Sequence, residues 1–116
     1  MARSAGATIE IVFDHFPQIA ALLPQAVGEI VQETILDIET GAKLRAPVDT
    51  GALRASIQSE MTGETSGEVA TDIEYSVFVE FGTVRAAAQP YMTPAAEAAR
   101  SPFIRKMSNL ESSLDV

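Results

Sequence analysis

The sequence predicts an α+β fold: a small antiparallel or mixed sheet, one long amphipathic helix packed on it, and a C-terminal helix. Three patterns carry that expectation. Residues 24–46 repeat apolar side chains at three- and four-residue spacing, the signature of a helix with one buried face. Residues 8–13 and 55–72 alternate instead, as half-buried strands do, with a Gly-rich break at 63–67 suited to a hairpin. Thr93 followed by Pro94 opens an Ala-rich run that reads as a second helix.

Taken in order, residues 1–8 form a small-residue lead, 9–107 the core of a single domain spanning 1–116, and 108–116 a tail expected to fray or to be ordered by a partner. Thr8–Phe13 is the first strand, and Asp14 caps a short helical turn that reaches Leu23. Pro24 suits the first position of the long helix, where its missing N–H is not needed. Val27, Ile30, Val31, Thr34, Ile35, Ile38 and Ala42 then form the stripe, with Glu29, Glu33 and Asp37 opposite. Early acids and the late Lys43 and Arg45 suit the helix dipole, and Pro47 stops the helix. Gly28 and Gly41 weaken it by up to about 1 kcal/mol each.

Residues 47–54 read as a turn, 55–61 as a strand with Ala55, Ile57 and Met61 on one side, and 68–72 as its return. Residues 73–81 fit both a strand and an i,i+4 helix, and a run this short does not decide between them. Gly82 ends it, and a loop follows over 83–92. The Thr93–Pro94 helix runs to about Arg100, is kinked or restarted at Ser101–Pro102, and continues to about Met107.

Composition excludes several kinds of chemistry. There is no cysteine, hence no disulfide framework, thiol nucleophile or Cys-ligated zinc, and the single His15 leaves no His pair for a metal. No cofactor is expected. The net charge of −8, from sixteen acids against eight bases, opposes a surface that grips DNA phosphates or anionic lipid. No apolar leader or long apolar stretch is present, so a soluble chain without membrane contact is expected.

Three blocks are more specific. They are Ala46–Ile57, containing Pro47, Asp49, Thr50, Gly51, Leu53 and Arg54; Tyr75–Thr83, containing Glu80, Phe81 and Gly82; and Ala88–Ala95, containing Gln89, Pro90, Tyr91, Met92 and Pro94. In this order, after one amphipathic helix, they resemble the head–tail joining or tail-completion family of long-tailed bacteriophages and prophages, the gp-ten-like family. The resemblance spans roughly residues 20–100. It implies a non-enzymatic virion protein at the neck, assembled in the host cytoplasm. Subunits would form a ring, usually a hexamer, between the tail tube protein and the head connector or stopper, with double-stranded DNA passing through. It also implies a helix over 74–81. The loop 84–88 departs from the family's usual pattern in having one basic residue, Arg85.

Each block also has a residue-level reading. Asp49-Thr50-Gly51 is a helix-to-strand joint, with side-chain oxygens that accept backbone N–H bonds and a glycine free to take unusual angles. The same tripeptide occurs in homodimeric aspartic proteases, where two aspartates share a proton. Here the lead-in is a helix end with Pro47, and the later apolar-Gly-Arg signature is missing. Glu80 is either a partly buried acid paired with Arg45 or Arg54 or a solvated residue on a helix face; no second polar group is spaced to make it catalytic. Tyr75, Phe78, Phe81 and Tyr91 read as core aromatics. Arg85, Gln89, Tyr91 and Met92 are candidates for a subunit interface. Glu60, Glu64, Glu68 and Asp72 are candidates for an acidic bore or rim that repels DNA phosphates, or they solvate an outward hairpin. Six copies at −8 carry about −48. An acidic DNA mimic that binds a basic host protein is the third alternative.

Overall fold

In the computed structural model, which describes residues 8–10, 17–47 and 51–114, the chain runs through β1 (Thr8–Glu10), α1 (Pro17–Leu22), α2 (Pro24–Arg45), α3 (Ala52–Ser56), β2 (Gln58–Met61), β3 (Gly67–Ala70), α4 (Ser76–Phe81) and α5 (Met92–Ser113). The expected α+β class is what forms. The sheet is antiparallel throughout, in the order β1-β3-β2. Its first strand is described only over residues 8–10; the rest of the expected strand and Asp14 lie outside the described residues.

Helix α2 organises the core because it has two partners. Its stripe of Val27, Val31, Thr34, Ile35, Ile38 and Ala42 is buried. Strands β2 and β3 pack on one side of it and α5 on another. The helix begins at Pro24, as its missing N–H allows, and stops at Ala46, which is extended (φ −66°, ψ 140°) before Pro47. Small residues let α5 come close: a Cβ at Gly41 would sit 3.3 Å from that of Ala95. Val69, Ile57, Leu53, Tyr91, Met92 and Met107 complete the core.

The hairpin connection is closed by the amides of Thr62 and Gly63, which donate to the Ser66 carbonyl at 3.0 and 3.3 Å. Its tip rests on α2. A Cβ at Gly28 would lie 2.4 Å from the Glu64 carbonyl oxygen, so the glycine is the condition for that contact. At the open edge of the sheet, the Ser59 amide and hydroxyl both donate to Glu39 Oε1, at 2.9 and 2.5 Å, while Lys43 holds Oε2 at 2.7 Å. One carboxylate thus satisfies an edge N–H that would otherwise face another chain. Burial pushes the Glu39 carboxyl up, but the bonds from Lys43 and Ser59 outweigh it and hold it below its ordinary value.

Several local expectations need correction. Residues 52–56 are helical, not turn and strand: Gly51 takes a left-handed angle (φ 72°) and starts α3. Ala55 is therefore exposed, and the inward positions are Ile57, Ser59 and Met61. Ser56 donates to the Leu53 carbonyl at 2.7 Å, so its hydroxyl accepts from Thr71, which itself accepts the Ile73 amide at 3.2 Å. That chain of bonds fixes α3 against the segment after β3. The C-terminal helix is continuous from Met92 to Ser113 despite Pro102, and residues 108–113, expected to fray, are part of it. The burial of Met107 and the ion pair of Lys106 with Glu33 of α2 hold this second half. Ser101–Pro102 therefore does not restart the helix; packing supplies what the local signal subtracts.

Candidate functional site

The second sequence block folds as a helix that is inside out. In α4 the buried residues are Ser76 and Glu80, while Val77, Phe78 and Phe81 point outward. The helix begins after Tyr75 and ends at Gly82, whose φ of 79° reverses the chain. Only glycine fits there, since a Cβ would be 2.7 Å from the Ala88 amide. The helix implied by the family resemblance is therefore present, but its aromatic residues do not serve the core. Phe78 is 59% exposed, Phe81 70%, and Tyr75 is partly exposed; of the four expected core aromatics only Tyr91 is buried.

Glu80 explains the inversion. The N-terminus of α5 has no side-chain cap from its own flanking residue Tyr91. Glu80 supplies one from α4. Its Oε1 accepts the amides of Tyr91 and Met92 at 3.1 and 2.8 Å, and its Oε2 accepts that of Thr93 at 3.1 Å. These amides are among the donors that a helix start leaves unpaired, and the dipole there favours a negative charge. Glu80 is 3% exposed. Burial raises its carboxyl, but the three amides and the Thr93 side chain together hold it below the ordinary value. It pairs with neither Arg45 nor Arg54 among the described residues and is not solvated, so both expectations for it are corrected. Tyr91 adds a second tie, its hydroxyl donating to the Ser76 carbonyl at 3.2 Å. Burial raises the Tyr91 phenol, and the Glu80 charge adds to that.

The loop after α4 is structured. Thr83 donates its amide to the Ala86 carbonyl at 2.8 Å, and its hydroxyl accepts the amides of Arg85 and Ala86 at 3.1 and 3.0 Å. The Gln89 amide then returns to the Val79 carbonyl at 2.8 Å. Arg85, Gln89 and Pro90 are exposed, and Val84 is fully so. Tyr91 and Met92, grouped with them as interface candidates, instead lie in the subunit's own core. Pro94 lies within the first turn of α5, which starts at Met92, so Thr93 is not its cap.

The remaining candidates are placed as follows. Leu53 is buried and Arg54 lines a surface groove with Lys43 and Leu44. Asp49, Thr50 and His15 lie outside the described residues. Glu60 and Glu68 are cross-strand partners in register, at the level that Glu10 occupies in β1. Glu64 is at the hairpin tip and Asp72 is exposed beyond β3. The register thus brings Glu60 and Glu68 together, with Glu64 and Asp72 at the two ends. Among the described residues no group of three potential ligand side chains could hold a metal ion, and no helix is long and apolar enough to cross a membrane.

Comparison with known families fits this region. The family model described as "Bacteriophage HK97-gp10, putative tail-component" matches residues 18–82, more than half of the chain. The chain belongs to the HK97-gp10-like family. The match takes in α2, the hairpin, the Gly51 joint and the whole of α4 up to Gly82, so the first sequence block and all of the second but Thr83 fall inside it. The third block, at the start of α5, falls outside. No curated protein and no solved structure matches the chain. Membership makes this a phage tail-component structural protein, a part of the virion that meets other phage structural proteins.

The exposed aromatics and the Glu80 cap were not legible as such. A helical wheel over 76–81 places Ser76 and Glu80 on one side and Phe78 and Phe81 away from it, which was a usable signal. What the wheel lacks is the position of Tyr91–Thr93 in space.

Proposed function

We propose that this protein is a ring-forming tail-completion or tail-terminator component, placed between the tail tube and the head connector, with DNA passing through its bore. The observation that carries the reading is the inverted α4: a small subunit with a filled core presents Val77, Phe78 and Phe81 outward. Clustered exposed apolar side chains mark a surface that another protein covers. Membership of a tail-component family supplies the class of partner. A closed ring needs two different complementary patches on each subunit. In this reading Arg85 and Gln89 flank one of them, and the neck of the virion is the place of action.

The acidic hairpin fits the conduit part of the reading. Glu60, Glu64, Glu68 and Asp72 facing the bore would lower the affinity of the wall for phosphates and let the duplex slide. Light scattering on size-exclusion fractions, alone and with the tail tube protein, tests the assembly. A persistent monomer that binds neither the tail tube nor the connector protein would end this reading. Changing the four acids to Gln or Asn leaves assembly intact and makes the assembled protein retain DNA. Unchanged DNA behaviour would remove the conduit role.

A further inference from the structure

We infer that the outward face of α4 seats on the Leu44 groove of a second copy of this chain. The inference rests on the ring-forming reading and names the two surfaces that would join. On one side, Phe78 and Phe81 project from α4, with the exposed Asp72 and Glu74 just before it. No Lys or Arg occurs between Glu60 and Val84, so the sequence leading into this aromatic face is acidic, with Arg85 following it in the next loop. On the other side, Leu44 is 75% exposed at the C-terminal end of α2, off the buried stripe. It lines a groove of about 190 Å³ with Thr40, Lys43, Glu39 and Arg54.

The charge balance of that groove is basic. Among the described residues its one acid, Glu39, is engaged by Lys43 and Ser59, which leaves the charge of Arg54 over. Arg54 is not engaged in the same way: its Nε is shut off from solvent and meets no acceptor among the described residues. The Arg54 charge on the groove lining is what an acid at the edge of a docked surface would meet. An acid-edged aromatic face and a base-edged apolar groove are complementary in both polarity and charge, and one chain carries both. A second copy therefore fits the groove by the same chemistry that makes the first copy's α4 fit its neighbour.

The chain has no cysteine, which makes cross-linking specific. Thr40→Cys, on the groove, and Val77→Cys, on α4, leave Leu44, Phe78 and Phe81 in place. The two variants, carrying different tags, are co-expressed, treated with a short bismaleimide and run on denaturing gels beside light-scattering measurements. A cross-link between the two variants, stronger than in either alone, is the expected result. Assemblies that form without that cross-link overturn this docking and leave the ring reading standing. A chain that stays monomeric at every concentration overturns both. As a second measurement, Glu74→Lys weakens self-association at least tenfold without moving the thermal midpoint; unchanged association also overturns the docking.

Discussion

Replacing Glu80 tests the account of α4 most directly. Its carboxylate accepts three amides, two of them from the buried residues Tyr91 and Met92 and one from the exposed Thr93. Water replaces the acceptor at Thr93 readily, so the loss falls on the other two. A hydrogen bond to a charged group contributes about 1.5–3 kcal/mol, and a stranded buried donor costs a similar amount. Glu80→Ala should therefore cost about 3–5 kcal/mol, a large share of the roughly 5–15 kcal/mol that holds a domain together. For a chain of this size that lowers the melting midpoint by on the order of 10–20 °C. Glu80→Gln keeps an oxygen for Tyr91 and Met92 but loses the charge and the Thr93 bond, for about 1–2 kcal/mol. Glu80→Met fills the space without accepting, and should be as damaging as Ala. Urea and thermal unfolding followed by circular dichroism give all three values. Glu80→Ala within about 0.5 kcal/mol of the parent, or Gln as damaging as Met, would refute the cap.

Four further outcomes follow from the structure. Gly28→Ala should destabilise by about 1–2 kcal/mol in denaturant titration despite its better helix propensity, because its Cβ meets the Glu64 carbonyl; equal or greater stability would mean the hairpin tip does not rest there. Ser76→Ala should be neutral or stabilising by up to about 1 kcal/mol, since its buried hydroxyl has no partner among the described residues, and a loss above that in the same assay would reveal one. Glu39 and Glu80 both titrate below their ordinary value of 4.5 when folded, so their contribution is present above that pH and disappears as pH falls through the lower folded values. Acid titration of the Glu39→Gln/Glu80→Gln double variant should therefore show a shallower stability loss below pH about 4.5 than the parent. Gly82→Ala should lower the midpoint sharply, because both its positive φ and the nearby Ala88 amide exclude a side chain.

The sequence is most readable where one element buries one face. Helix α2 was legible from its stripe and its two prolines almost to the residue, because nothing distant alters a 22-residue amphipathic pattern. The hairpin turn was legible from Gly63 and Gly67, although the strand before it starts three residues later than alternation suggests, α3 having taken Ala52–Ser56. Ala55 and Ser56, the two residues by which the alternating run overlaps α3, are weak evidence against a helix whose start is set by Gly51. The candidate site was least legible for a related reason. Hydrophobicity assigns Phe78 and Phe81 to the core and Glu80 to the surface, and both assignments invert because three amides outside the local window require a buried acid. A similar distant contact turns Gly28 from a helix-weakening residue into the seat of the hairpin tip.

Pro102, inside α5, has a mechanical consequence. Proline offers no N–H, so the carbonyl of Ala98, four residues earlier, loses its helical donor, and the bending stiffness of α5 is lowest there. The segments on either side are anchored differently, one by the Glu80 clamp at Tyr91–Thr93 and the other by Lys106 on Glu33 and by buried Met107. A load applied to the exposed side of α4 thus enters α5 through the clamp, on the side of the proline where Ala95 packs close to Gly41 of α2.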